Sequence, residues 1–223
     1  MSHSNLKKLV IVGAGGHGKE ILWLVQNINR RLATYEVIGF CDDHQGLRGQ
    51  SFEGFPVLGT VEQYDLENQS AAKPYFMIGI GDNGIRRSVA IRVDALGWRA
   101  ATLIDPSAVV AENVDIGEGT YVGVASNVSP SAKIGRHSIV HNQSSVGHDT
   151  IMADFSQVAP GGRVLGHVTV GECGYLGSNA VIAPGKKLGK NAVLGACSFA
   201  IEDVPDSSVA IGVPARLRIQ RKD

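Results

Sequence analysis

From Ile104 to Phe199 the chain divides into sixteen consecutive blocks of six residues, each opening with an aliphatic side chain. The openers are Ile104, Val110, Ile116, Val122, Val128, Ile134, Val140, Val146, Met152, Val158, Val164, Val170, Leu176, Ile182, Leu188 and Leu194, with no insertion or skipped block. The next position is Gly in eight of the sixteen, and the fifth is Ala, Ser, Thr, Gly or Val in all but Lys186. An amphipathic helix would instead place apolar residues at i, i+3, i+4 and i+7. A sustained six-residue period is the signature of a parallel β-helix, in which each block forms one short face and three blocks close a triangular coil. The openers should point inward and stack on counterparts 18 residues away, with Gly or another small residue permitting the corner that follows. Residues 104–223 are therefore expected to form a β-helix domain with a C-terminal tail.

Residues 1–103 carry a different pattern. Leu9–Val12 reads as a buried parallel strand, Gly13-Ala14-Gly15-Gly16-His17-Gly18 as a tight turn, and Lys19–Asn29 as a helix. Further strands are expected at Val37–Cys41, Pro56–Leu58, Tyr75–Ile80 and Arg99–Leu103, with a helix from about Ile85 to Leu96. This alternation argues a small Rossmann-like parallel α/β sheet. The spacing Gly13-x-Gly15-x-x-Gly18, followed by Asp42, matches the dinucleotide fingerprint, but about 100 residues hold only one mononucleotide half of such a fold. Amides of Gly15, Gly16, His17 and Gly18 at the helix start could hold a diphosphate, and Asp42 or Asp43 could accept from a ribose or base. A NAD-type cofactor or a purely structural turn are the alternatives. Gly81, Asn83 and Arg86 lie after a neighbouring strand, where they could reach the same nucleotide or, alternatively, belong to a helix N-cap.

Composition narrows the partners. The 21 basic and 21 acidic residues balance, so no basic stripe marks a nucleic-acid or acidic-membrane surface. Three cysteines, Cys41, Cys173 and Cys197, form no CxxC pair and fit a reducing cytoplasm. The apolar run Leu9–Val12 is too short for a signal peptide or a membrane span.

Histidine is the informative residue on the prism, because imidazole titrates near neutrality. His148 is followed by Asp149, a carboxylate able to orient a base for proton abstraction. One coil further on, Gly166 falls above His148 and His167 above Asp149, so the Gly166 amide is a candidate oxyanion donor and Asp149 could serve two rings. His141 occupies an after-opener position usually held by a small residue, close enough along the chain for it and His148 to meet one ligand. Metal ligation is not expected, since the His137–His141 spacing suits a helix and not a triangular coil.

Taken together, Val10–Gly18, Gly81-Asp82-Asn83 with Ile85-Arg86, Ser145–Asp149, Val158–Gly161 and the ending Asp203–Pro205 with Gly212–Ala215 resemble the bacterial sugar acetyltransferases of the sialic-acid O-acetyltransferase type. They resemble most the members that N-acetylate nucleotide-linked 4-amino-4,6-dideoxy sugars. The resemblance implies a left-handed β-helix, a cytoplasmic homotrimer, and direct transfer from acetyl-CoA without a metal. It also implies that His148 is the base, Asp149 its support and the Gly166 amide the acyl-oxygen donor. The N-terminal domain would hold the nucleotide. Acetyl-CoA would lie between two prisms, near Ala183, Gly185, Lys186, Gly212 and Pro214. Two positions depart from the family pattern: Gln157 stands where relatives carry a CoA-proximal histidine, and His141, followed by Asn142, stands where they carry an Asn near the acceptor sugar. The same base would serve O-acetylation of a sugar hydroxyl. A nucleotide-sugar sensor trimerised by its prism would leave His148 and Asp149 idle.

Overall fold

The computed structural model describes residues 6–69 and 71–220, and the chain divides after Leu103 into two compact units. The first is built on a four-stranded parallel sheet. Its strands are β1 (Lys7–Val12), β2 (Tyr35–Cys41), β5 (Tyr75–Ile78) and β6 (Arg99–Ala100), in the order β2-β1-β5-β6. A two-stranded hairpin, β3 (Ser51–Phe52) with β4 (Phe55–Pro56), and three helices complete the unit: α1 (Gly16–Arg31), α2 (Val61–Glu67) and α3 (Asn83–Ala95). Leu9, Val10, Ile11, Ile21, Leu24, Phe40 and Phe76 are fully buried in its core. Because β1 is flanked by β2 on one side and β5 on the other, the chain reverses direction across the sheet at the carboxyl end of β1. That is the switch point at which open α/β sheets bind ligands.

Several boundaries differ from the sequence expectation. The expected strand at Pro56–Leu58 is the end of the β3–β4 hairpin plus a single bridge from Phe40 to Val57. The expected strand Arg99–Leu103 is two: Arg99–Ala100 closes the α/β sheet, whereas Leu103–Ile104 begins the β-helix. Helix α2 carries few apolar residues to betray it. It is fixed instead by a capping box, in which Thr60 accepts from the Gln63 amide while the Gln63 side chain accepts from that of Thr60.

The second unit is a three-sided parallel β-helix whose faces are sheets of eight, six and five strands, nearly all of them two residues long. Each strand pairs in parallel with the one 18 residues on, as Asn127 with Ser145 and Ile134 with Met152. Every opener from Val122 to Leu194 is at most 3% exposed. Ile104 departs from this rule at 36%, because a prism's first coil has no coil beneath it to close its core. The pattern outlasts the sixteen blocks: Ala200, Val204 and Ala210 join the same core. Two residues are lost between Ala200 and Val204, which breaks the sixfold register there. Ser208–Gly212 then pairs with Ala215–Gln220 as a terminal antiparallel hairpin on the eight-stranded sheet.

The after-opener glycines do not serve the purpose expected of them. Left-handed backbone falls two positions later, at Ala125, Ser131, His137, Gln143, Asp149, Phe155, His167, Cys173, Asn179, Asn191 and Cys197, and at Gly119, Gly161 and Gly185. The after-opener glycines are required by close approach between coils. A Cβ on Gly135 would lie 2.5 Å from the Asp154 nitrogen, on Gly147 2.6 Å from that of Gly166, and on Gly171 2.5 Å from that of Lys190. Gly171→Ala should therefore lower stability by about 1–3 kcal/mol, the usual cost of overpacking. A drop in the thermal midpoint of the β-helix would verify it; a midpoint equal to wild type would show that the coils can part without cost.

Candidate active site

The edge that follows the six-stranded face carries Pro130, His148, Gly166 and Pro184, one per coil. His148 Nδ1 lies 2.8 Å from Asp149 Oδ2, and His167 Nε2 lies 3.8 Å from the same oxygen. The two rings meet edge to face with centroids 4.9 Å apart. All three side chains are exposed. The hydrogen bond to His148 holds the Asp149 carboxyl below the usual carboxylate range, with the positive character of His167 and His148 adding to it. Asp149 therefore stays ionised where imidazole titrates, and it favours the His148 tautomer that carries its proton on Nδ1.

Stacking gives Gly166 its significance. A Cβ there would lie 2.5 Å from His148 Nε2, so only glycine leaves room for the ring. At the same block position elsewhere, the amides of Val124, Arg136 and Lys190 donate to side-chain oxygens of Asn142, Asp154 and Asp206 on the next coil, at 2.8–3.0 Å. The residue one coil above Gly166 is Pro184, which has no acceptor side chain. The Gly166 N–H has no acceptor among the described residues. An imidazole nitrogen able to take a proton thus sits beside a backbone donor able to meet a developing oxyanion. Gly185 and its neighbours Ala183 and Lys186 form the corner one coil higher, with the Gly185 amide donating to Gly166 O at 2.9 Å.

The remaining prism residues do not gather on this edge. His141 and Asn142 lie on the preceding edge, separated from His148 by the strand Ser145–Val146, so nearness in sequence does not bring them to His148 within one chain. His141 is buried with its ring 5.7 Å from that of Tyr121. The Asn142 carboxamide accepts from the Val124 amide and the Tyr121 hydroxyl, a role in coil stacking. Gly212 and Pro214 lie at the turn of the terminal hairpin. Gln157 is buried on the eight-stranded face, and its Oε1 has no hydrogen-bond partner among the described residues.

In the α/β unit a cleft of about 420 Å³ opens at the switch point, lined by Gly13, Gly15, Gly16, His17, Asp42, Asp43, Gly81 and Arg92 among others. Gly15 caps α1 without a side-chain bond, and no acidic residue occupies the helix's first turn. A Cβ on Gly15 or Gly16 would meet nothing within 4 Å, whereas one on Gly18 would lie 2.3 Å from Gly13 O. Gly15 and Gly16 therefore face the cleft, while Gly18 is a packing glycine. Asp42 lines the cleft but accepts the Ala14 and His44 amides at 2.8 Å each. Arg86 and Asn83 do not line it. The buried Arg86 guanidinium donates to Ile80 O, Gly81 O and Asn83 Oδ1, and so shapes the loop from within. Asp82 caps α3 by accepting the Ile85 amide, the N-cap arrangement that competed with ligand contact in the sequence. Sequence reasoning missed Arg92, which pairs with both Asp43 and Glu62 at the cleft wall. Its helical spacing from Arg86 and Val89 was the available signal.

Comparison with known proteins shows the family. The family description "PglD N-terminal domain" matches residues 8–93. The chain is 31% identical to GDP-perosamine N-acetyltransferase of Escherichia coli O157:H7 over 176 residues, 78% of this chain and 77% of that protein. It belongs to the family of β-helical sugar acetyltransferases. Among solved structures, a histidine-to-asparagine mutant of perosamine N-acetyltransferase from Caulobacter crescentus, with CoA and GDP-perosamine, superposes with a TM-score of 0.88. It is 27% identical, over 97% of this chain and 98% of that one. The acetyltransferase domain of PglB from Neisseria gonorrhoeae, in complex with acetyl coenzyme A, gives 0.84 at 31% identity, over 96% and 100%. No helix among the described residues is long and apolar enough to cross a membrane. Both buried cysteines and the exposed Cys197 are free thiols, and burial pushes Cys41 up to about 12, away from nucleophilic use.

The hydrogen bonds from Arg92 hold Glu62 below its ordinary range. A depressed carboxyl contributes stability that is present above its unfolded pKa and is lost as pH falls through the folded one. Arg92→Met should cost about 0.5–1 kcal/mol at neutral pH, with the difference from wild type closing as pH drops below about 4. Thermal melts of both proteins from pH 3 to 7 test this; a gap constant with pH would place the loss in packing and not in charge.

Proposed function

We propose that this acetyltransferase moves the acetyl group of acetyl-CoA directly to the amine of a nucleotide-linked 4-amino-4,6-dideoxy sugar, with His148 as general base. The observation that carries this reading is Gly166, with its uncommitted amide, packed against the His148 ring at Nε2, with Asp149 on the opposite ring nitrogen. The sugar amine attacks the thioester carbonyl while His148 Nε2 takes its proton. The Gly166 N–H donates to the oxyanion, Asp149 steadies the imidazolium, and collapse expels the CoA thiolate, to which the proton returns. The amine is favoured over a hydroxyl because the perosamine relative, itself an N-acetyltransferase, matches nearly the whole chain.

The nucleotide is assigned to the α/β cleft, with its diphosphate at the Gly15–His17 amides and the positive end of α1. Asp42 and Asp43 border the place of its ribose or base. Pantetheine is assigned to the edge holding Ala183, Gly185 and Lys186, above Gly166. A homotrimer is part of this reading. Gly212, Pro214, His141 and Asn142 lie on other parts of the prism than His148, and a neighbouring prism would bring such parts against its edge. A cytoplasmic location follows from the substrates proposed, both of them products of soluble metabolism.

His148→Asn should lower the turnover number about 10²- to 10⁴-fold while leaving the fold intact, the span of a positioned general base. Release of free thiol with acetyl-CoA and a panel of nucleotide amino sugars measures it; turnover above a third of wild type would remove His148 from the role.

Gly16→Val should place a side chain in the cleft without disturbing the fold, since open space surrounds the site. Affinity for the nucleotide sugar should fall at least tenfold and that for acetyl-CoA should hold. Calorimetry with each ligand decides; loss of acetyl-CoA affinity alone would reverse the assignment of ligands to domains.

A further inference from the structure

His167 is not required by the transfer mechanism, yet its position one coil above Asp149 gives the edge a third donor. One ring nitrogen from each histidine and a carboxylate oxygen of Asp149 lie within 4.8 Å of one another, and His148 Nδ1 and His167 Nε2 stand 2.8 and 3.8 Å from the same Asp149 Oδ2. Two imidazoles and one carboxylate form a donor set for a borderline divalent cation such as zinc. Zinc binds such atoms at about 2.0–2.2 Å, which sets its ligands roughly 3–4 Å apart. The separations here bracket that range, and all three side chains are exposed and able to turn the last fraction of an ångström. The backbone holds them in place: the His167 amide donates to His148 O at 2.9 Å, and both Asp149 and His167 hold left-handed corners.

We propose that His148, Asp149 and His167 form a three-ligand zinc site, and that metal bound there switches the transferase off. The switch rests on the reading of His148 as base; the metal site does not. With Nδ1 bound to zinc through its lone pair, the ring's single proton must reside on Nε2. An Nε2–H cannot accept the proton of the attacking amine. Zinc also withdraws Asp149 from its support of the imidazolium. Hard cations such as magnesium prefer all-oxygen ligands and should not compete.

The test uses the full chain, stripped of metal by a chelator and titrated calorimetrically with zinc chloride. His167→Asn serves as the main variant, because Asn tolerates the left-handed backbone, with His167→Ala beside it. Wild type should bind one zinc per chain in the micromolar range, and both variants should bind at least tenfold more weakly. Metal-free turnover of the variants should stay within about threefold of wild type. In zinc buffered by a weak chelator, formation of acetylated sugar by wild type should fall with the same midpoint as binding, and that of the variants should need at least tenfold more zinc. Equal zinc affinity in wild type and both variants would overturn the site, whatever His148 does. Zinc bound through His167 without loss of rate would overturn the switch. The metal-free His148→Asn measurement reports separately on the base.

Discussion

The β-helix depends on how closely one coil's backbone can approach the next at its corners. Parallel pairing at 18-residue intervals sets the coil spacing, and the corner after each opener then brings chain into contact with chain. A single methyl group on Gly135 would intrude on the Asp154 nitrogen of the next coil, and one on Gly147 on that of Gly166. This contact removes any freedom of register. It also fixes, without reference to chemistry, which residue stands above which.

The candidate site differs from the corners at Val124 and Arg136, whose amides donate to Asn142 and Asp154 of the next coil. Above Gly166 stands Pro184, and the amide remains available. Below it stands His148, whose ring occupies the space that a side chain at 166 would have filled. Asn142, which looks from sequence as much a ligand residue as His148 does, is committed to the scaffold. The difference between them is only what lies one coil away.

In the α/β unit the glycine turn divides its labour in the same manner. Gly18 and Gly79 crowd one another and Gly13, fastening helix to sheet, while Gly15 and Gly16 leave open space and uncapped amides toward the cleft. Arg92 ties Asp43 and Glu62 together at the cleft wall. Arg86 holds the opposite loop from inside, as the interior position of its guanidinium requires. A buried guanidinium is retained only where carbonyls and carboxamides satisfy it, and here they do.

The six-residue period and the strand–turn–helix of the glycine motif were legible in the residues alone, because each is a local repeat of side-chain size and polarity. The stacking of Gly166 on His148 and of His167 on Asp149 was legible too, since a constant period turns sequence distance into spatial distance. The fates of the polar residues were not. Whether His141 reaches a ligand or packs beside Tyr121, whether Arg86 faces the cleft or the loop, and why the after-opener positions are glycine all depend on which atoms arrive from elsewhere in the chain. Local sequence determines how the backbone turns; only the packed structure decides which of its donors and acceptors are already spent.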